Sequence, residues 1–545
     1  MRSGGVGRFG TRTGGASRAA RFAWGIGFLP PEQGFEIIIP DGPVVAKTWV
    51  LVAAILGSAM SFIDGSAVNV VLPILQRDFA ASAADVQWVV EGYALFLAAL
   101  ILLGGALGDI YGRKRMYALG VTIFAVASLG CAIASRIELL IAARCVQGLG
   151  AALMVPESLA LISANFSGAE RGRAIGTWSA FASITGAFGP ILGGYLAQHA
   201  SWRWVFLLNL PLALAVVLMC WKGFPESRDE NAPPHVDVVG SLLATLALGA
   251  CTYGLIRSQG GAFDLGAALA IGVGIAFGAG FVWAERHVAA PMLPPGLFRS
   301  RTFSGANAYT LLLYAALGGS LYFVPFLLID VRHYAPSAAG AAFLPFIALQ
   351  FTLARWSGGL IARYGARAPL VGGALVAGLG FLAFMVPGEG GSYWSTYFPA
   401  VVLLGIGGVF FVAPLTTTVF DAVSTDEAGI ASGVNNAVAR TAGLLAIAAF
   451  GILLSAVFAA RFDAELGRAR LSHQTIQVVH LQRGQLFAGA VPAGLAPADR
   501  PVVTELVHDS YLAGFRAVMA GSALLCVLAA AIAAGTIPGR SSAKA

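Results

Sequence analysis

Apolar residues run along this chain in long blocks separated by short polar or glycine-rich connectors. A helix needs about 20 apolar residues to cross the hydrocarbon of a bilayer. Blocks of that size fall at 49–76, 86–107, 115–135, 138–163, 173–199 and 203–222. Two more lie at 238–257 and 265–286, and a last six at 302–329, 335–362, 368–387, 397–420, 428–459 and 511–536. The pattern therefore predicts fourteen spans and an all-α polytopic membrane protein. Several blocks exceed 25 residues, so tilted helices or interfacial ends are expected there.

Composition agrees. Of 545 residues 57% are hydrophobic and 11% charged, and mean hydropathy is +0.78. A soluble domain carries roughly 25% charged residues, and disorder needs low hydrophobicity with high charge, so both are excluded for all but the ends. The net charge of +7 is read through its distribution, because basic residues gather on cytoplasmic loops. With the N-terminus inside, the short inner loops and C-terminal tail hold 14 Lys and Arg, against five in the short outer loops. Both termini are thus expected in the cytoplasm, the lipid bilayer is the expected surroundings, and no nucleic-acid partner is implied.

The five cysteines fall singly with no C-x-x-C spacing, so neither a disulfide framework nor a metal site is expected. Residues 1–47, rich in Arg and Gly, lack the apolar core of a signal peptide and read as a disordered basic tail. The long outer loop 460–509 mixes Arg, Glu and Gln with Leu and Val. It reads equally as an amphipathic surface helix or as a solvated connector.

An internal repeat changes the fold reading more than any one motif. After the second span stands GALGDIYGRKR at 105–115, and after the tenth GGLIARYGAR at 358–367. One offset of 253 pairs Gly105 with Gly358, Leu107 with Leu360, Tyr111 with Tyr364 and Gly112 with Gly365. Two six-span halves, separated by spans seven and eight, account for it.

The 105–115 segment resembles the G-x-L-x-D-x-x-G-R-K loop of the major facilitator superfamily. From about 48 to 536 the chain looks like that superfamily's 14-span drug:proton antiporter branch, the EmrB/QacA-type exporters. DGSAVNVVLP at 64–73, RCVQGLGA at 144–151, GAFGPILGG at 186–194 and WRWVFLLNLP at 202–211 are similar to the branch's motifs in spans one, four and five and ahead of span six. Ile110 departs from the family's usual Arg after the Asp.

The resemblance implies two six-helix bundles, 48–222 and 302–536, with two additional transmembrane helices in 223–301 and a cytoplasmic tail at 537–545. It implies a proton-coupled antiporter exporting hydrophobic or amphipathic small molecules across the inner (cytoplasmic) membrane, without cofactor and as a monomer. An exporter of one narrow metabolite, siderophore or lipid, or a solute importer, are the alternatives. No G-x-x-x-x-G-K-[ST], H-E-x-x-H or G-x-S-x-G pattern points to ATP use or to an enzyme.

Ionisable groups within a span are costly and functional by default. Five stand out: Asp64, Glu91, Arg144, Arg355 and Arg440. A carboxylate in a dry cavity holds its proton more tightly, and a nearby arginine loosens it. With the family motifs, Asp64 is expected as the principal proton carrier, Arg144 as the cation that tunes it, and Glu91 as second carrier or substrate contact. Gly105, Asp109, Gly112 and Arg113 are expected to form a cytoplasmic gate in which Asp109 and Arg113 pair as a latch. Gly186, Gly189, Pro190, Gly193 and Gly194 are expected to seal a bendable contact between the halves, small residues allowing close helix approach. Arg440 with Asn435 and Asn436, and Tyr93 of span two, are candidates for the substrate cavity.

Overall fold

Hydrocarbon offers no water to a polar backbone, so each crossing must satisfy its own N–H and C=O groups as a helix. The computed structural model obeys this throughout. It describes residues 43–539 except 230–235, 260–262, 289–290, 387–390, 425–426, 470, 483–485, 487–490 and 492–493, and no strand occurs among the described residues.

The first six spans are Pro43–Phe79, Ala83–Tyr111, Arg113–Ile133, Ile137–Asn165, Gly168–His199, and Arg203–Leu207 continued by Asn209–Lys222. Spans seven and eight are Val238–Arg257 and Leu265–His287. Span nine runs Arg301–Leu321 and ends in Val324–Phe326 and a π-helical turn, Leu327–Val331. Span ten is broken into Pro336–Ala341 and Leu344–Tyr364, and Arg367–Ala383, Phe398–Asp421, Ala428–Leu466 and Arg500–Thr536 complete the set. Among the described residues thirteen helices are long and apolar enough to cross a membrane, while Arg367–Ala383 is a shorter apolar helix.

Local chemistry sets several ends. Ser82 caps span two, accepting from the Asp85 amide at 3.2 Å while the Asp85 carboxylate accepts from the Ser82 amide at 3.0 Å, a reciprocal pair that satisfies two orphan donors. Gly112 ends span two at φ 111° and Gly365 ends span ten at φ 73°. These repeat-related glycines adopt a backbone that side-chain-bearing residues avoid.

Spans one to six pack among themselves, as do nine to fourteen. The two sets meet where span five packs on Pro336–Ala341 and where span two packs on span thirteen. Spans seven and eight pack on each other, and span seven also touches spans two and thirteen. Span eight presents Leu265, Leu269, Ile275 and Trp283 outward, as a lipid-facing helix would.

Two expectations need correction. Residues 43–47 of the supposed tail are helical, and Lys47 pairs with Glu170 at 2.6 Å; residues 1–42 lie outside the described residues. In 460–509 the span-thirteen helix continues to Leu466, His473–Leu481 forms its own helix, and the last helix begins at Arg500 rather than 511. Val479, Leu486, Leu495 and Val503 are buried in the core shared with spans nine to fourteen. A helix does form, as one of the two readings expected, but its Val479 and the nearby Leu486, Leu495 and Val503 pack on protein, while Leu481 stays exposed.

Span two lies close on span four. A Cβ on Gly104 would stand 2.0 Å from the Ala152 carbonyl oxygen, whereas one on Gly105 would meet only Pro156 Cβ at 3.6 Å. Backbone cannot move aside as a side chain can, so Gly104→Ala is expected to cost about 1–3 kcal/mol. Thermal unfolding in detergent should show a clear loss for Gly104→Ala and little for Gly105→Ala.

Candidate functional site

Five spans converge on one buried ion pair. Asp64 of span one and Arg144 of span four are 0% and 1% exposed and form a direct salt bridge. The other Asp64 oxygen accepts from Gln147 Nε2 at 2.9 Å and from Asn209 Nδ2 at 3.4 Å. Gln147 and Asn209 also donate to Ser128 Oγ of span three, at 2.8 and 3.2 Å. Arg144 spends Nε on the Val89 carbonyl at 2.9 Å and donates to Gln147 Oε1 at 2.6 Å. The Tyr93 ring lies 4.4 Å from the guanidinium carbon and Phe206 5.9 Å, within cation–π range. A buried charge is tolerable only when paired and hydrogen-bonded, and here each charge has several partners.

Glu91 differs. It is also 0% exposed, and it lies within electrostatic reach of Tyr322 of span nine. Oε1 accepts from Gln87 Nε2 at 3.3 Å, and Oε2 has no hydrogen-bond partner. Asp64 and Arg144 are thus brought into direct contact, while the one hydrogen bond of Glu91 among the described residues is to Gln87.

Among the cavity candidates, Tyr93 is 6% exposed, with its hydroxyl 2.7 Å from Ser61 Oγ. It lids the ion pair rather than lining an open pocket. Asn435 donates to Asn307 Oδ1 at 3.1 Å and Thr310 Oγ1 at 2.7 Å, which ties span thirteen to span nine and turns it away from a cavity. Asn436 is exposed and accepts from Arg440 Nε at 3.0 Å. Arg440 is half-buried, within electrostatic reach of Tyr93 and Tyr314, and no carboxylate pairs with it among the described residues. The side chain of Arg355 lies outside what is described.

At one end of the molecule the two sets of spans are joined. Arg77 of span one makes a salt bridge to Asp330 in the π turn of span nine, and the pair is separated by the repeat offset of 253. Beside it Gln198 Oε1 accepts from Ser337 Oγ at 2.5 Å. The glycine-rich motif of span five divides its contacts: a Cβ on Gly189 would strike Ser66 Oγ at 1.9 Å and one on Gly193 the Ala67 carbonyl at 2.7 Å, both in span one. A Cβ on Gly194 would meet the Pro336 carbonyl at 2.2 Å, and one on Gly340 the Pro190 carbonyl at 2.1 Å. Gly186 has only Phe62 near, at 3.8 Å. The seal between the two sets thus rests on Gly194 and Pro190, while Gly189 and Gly193 hold span one.

At the other end Asp109 and Arg113 do pair, at 2.6 Å. Their surroundings belong to the segment after span six: Arg113 N donates to Ser227 O at 2.8 Å, Asp229 N donates to Asp109 O at 3.0 Å, and the Glu226 carboxylate accepts from the amides of Lys114 and Arg115 at 2.8 and 3.1 Å. A Cβ on Gly112 would crowd that carboxylate at 2.7 Å. Gly105 packs loosely on Pro156. Glu157 of span four, which the sequence reading passed over, sits fully buried against Gly108 with neither oxygen hydrogen-bonded, within electrostatic reach of Asp109, Arg113 and Glu226. The rule that picked out Asp64 applies equally to an acid inside the apolar run 138–163.

A bundle of this kind, with paired charges buried between helices and two helix sets meeting at one end, defines a polytopic membrane transporter. The chain belongs to the Major Facilitator Superfamily, whose family profile matches residues 54–447. It is 37% identical over 426 residues to the multidrug resistance protein Stp of Mycobacterium tuberculosis, covering 77% of this chain and 78% of that protein. It is 31% identical over 500 residues to the tetracenomycin C resistance and export protein of Streptomyces glaucescens, covering 91% and 92%. Among solved structures, the inward-facing, occupied form of a bacterial homolog of the human lysosomal transporter Spinster superposes with a TM-score of 0.62 at 19% identity, over 91% of this chain and 98% of that one.

Gly194→Ala is expected to pry the span-five seal from Pro336, and Gly186→Ala to leave it closed. Crosslinking of a cysteine pair at Gln198 and Ser337 in otherwise cysteine-free protein should fall several-fold in the first variant and stay unchanged in the second.

Proposed function

We propose that this chain is a proton-coupled antiporter that exports hydrophobic or amphipathic small molecules, drugs and antibiotics among them, by alternating access. It works in the cytoplasmic membrane with both termini inside, as the bias of basic residues toward the inner loops supports. The bundles are 48–222 and 302–536, and one chain is the transporting unit. The resistance and export names of its relatives favour efflux.

The observation that carries the reading is the contrast between two fully buried acids. Asp64 is committed to Arg144, Gln147 and Asn209, whereas Glu91 has an oxygen without a partner. An ion pair that must open, and a carboxylate that needs a proton to be at ease in a dry site, are what exchange requires. In the proposed cycle Glu91 and Asp64 carry protons and Arg144 answers to both states of Asp64. Substrate lies against Arg440, Asn436 and Tyr314. In this reading the Arg77–Asp330 bridge is the outer gate, and the loop carrying Gly105, Asp109, Gly112 and Arg113 is the inner one. Asp109, Arg113 and Glu157 would regroup when that end closes.

The test uses acidified inverted membrane vesicles and a panel of lipophilic cations, neutral antibiotics and hydrophobic carboxylates. Wild type should give compound-triggered alkalinisation of the lumen, and Asp64→Asn and Glu91→Gln should each lose at least nine-tenths of it at equal protein. Undiminished alkalinisation in both variants overturns the assignment of the carriers. Absence of any response from inserted wild-type protein overturns antiport of these compounds.

A further inference from the structure

Spans seven and eight lie outside both six-span sets, yet they reach the proton site. Gln259, just beyond the end of span seven, donates from Nε2 to Gln87 Oε1 at 2.7 Å, and Gln87 Nε2 donates to Glu91 Oε1 at 3.3 Å. The Gln259 carboxamide rests directly on the Gly451 backbone of span thirteen, where a Cβ would stand 2.3 Å from Nε2. The turn that carries it is clamped: Arg257 Nη2 and Nε bond Asp264 Oδ2 at 2.7 and 3.0 Å, and Asp264 also accepts from the Ala267 amide at 2.7 Å. The Arg257 guanidinium, with that amide, holds the Asp264 carboxyl down at about 2. A cavity of ≈ 20 Å³ lies beside the two glutamines, bordered also by Tyr322, Ser455 and Tyr511. That is room for one water.

We propose that Gln259 is a positioning residue for Glu91, and that the two additional helices are thereby a working part of the proton site rather than a spacer. The inference rests on the reading of Glu91 as a proton carrier. An amide has a donor end and an acceptor end. With Glu91 ionised, Gln87 gives its N–H to the carboxylate and must receive at its oxygen, which Gln259 supplies. Once Glu91 takes a proton from the water side, its new O–H seeks an acceptor. Gln87 can offer one only by turning over, and Gln259 must then turn as well. Loading of the carboxylate is thus felt at Gly451, on the seam between spans two and thirteen. The groups that reach Glu91 among the described residues are few: Gln87 on its own helix, Tyr322 on span nine with Tyr511 behind it, and, through Gln87, Gln259. Of these, Gln259 alone belongs to neither six-span set.

The experiment counts protons bound by the purified full chain in detergent during a titration with an indicator dye, with no substrate needed. The difference between wild type and Glu91→Gln isolates this carboxylate. In a Gln259→Leu background, which keeps bulk and removes the donor, the midpoint of that difference should move to higher pH by roughly half a unit to one unit, the worth of one hydrogen bond to the ionised arrangement. Gly451→Ala, which unseats Gln259 without altering it, should move it the same way. Gln259→Asn serves the same purpose if the leucine variant does not fold. An unmoved midpoint in folded protein overturns the role of Gln259 and leaves Glu91 as carrier. Equal proton counts for wild type and Glu91→Gln overturn the carrier reading itself, and this inference with it.

Discussion

The buried pair of Asp64 and Arg144 is the constraint around which spans one to four and six are arranged. Two charges withdrawn from water repay the cost only with good geometry and hydrogen bonds to the remaining lone pairs and protons. Span one supplies the acid and span four the base, while Ser128 of span three and Asn209 of span six complete the polar shell. Span two contributes the Val89 carbonyl and the Tyr93 ring. No single helix can shift far without leaving one of these groups unpaired. Spans one to four and six are therefore fitted to move as a body, and motion is directed to the seams.

The two seams are built differently. Span five meets Pro336–Ala341 through backbone contact and is flanked by the Arg77–Asp330 bridge. Span two meets span thirteen with a glutamine from span seven inserted beside it. The first is a contact that can open as a unit. The second joins the proposed proton carrier to helices that the twelve-span repeat does not contain, which gives the additional pair a place in the exchange cycle.

Most of the architecture was legible in the chain. Hydrophobic runs located the thirteen helices that are long and apolar enough to cross a membrane among the described residues and the shorter Arg367–Ala383, and the 253-residue offset announced the repeat. Asp64 and Arg144 were recognisable because charge inside an apolar run is rare, and their meeting followed from motifs in spans one and four. The remainder depends on packing between distant segments. Gln259 stands in a turn where a glutamine carries no local signal, and its seat, Gly451, lies far along the chain. That Glu91 would rest on Gln87 was not readable, because depth along a helix says nothing about which way a side chain faces. Glu157 and the Arg77–Asp330 bridge had signals that went unused: an acid within an apolar run, and two opposite charges separated by the repeat offset itself.

The central claim is that Asp64 and Arg144 act as one unit, and a double-mutant cycle on unfolding free energy in detergent tests it most directly. Breaking a buried pair from one side strands a charge and costs about 3–5 kcal/mol, whereas removing both charges is often close to neutral. Asp64→Asn and Arg144→Gln alone should each be strongly destabilising, and the double variant should recover most of that loss while remaining unable to couple protons. Losses that simply add, or single variants as stable as wild type, would contradict the account.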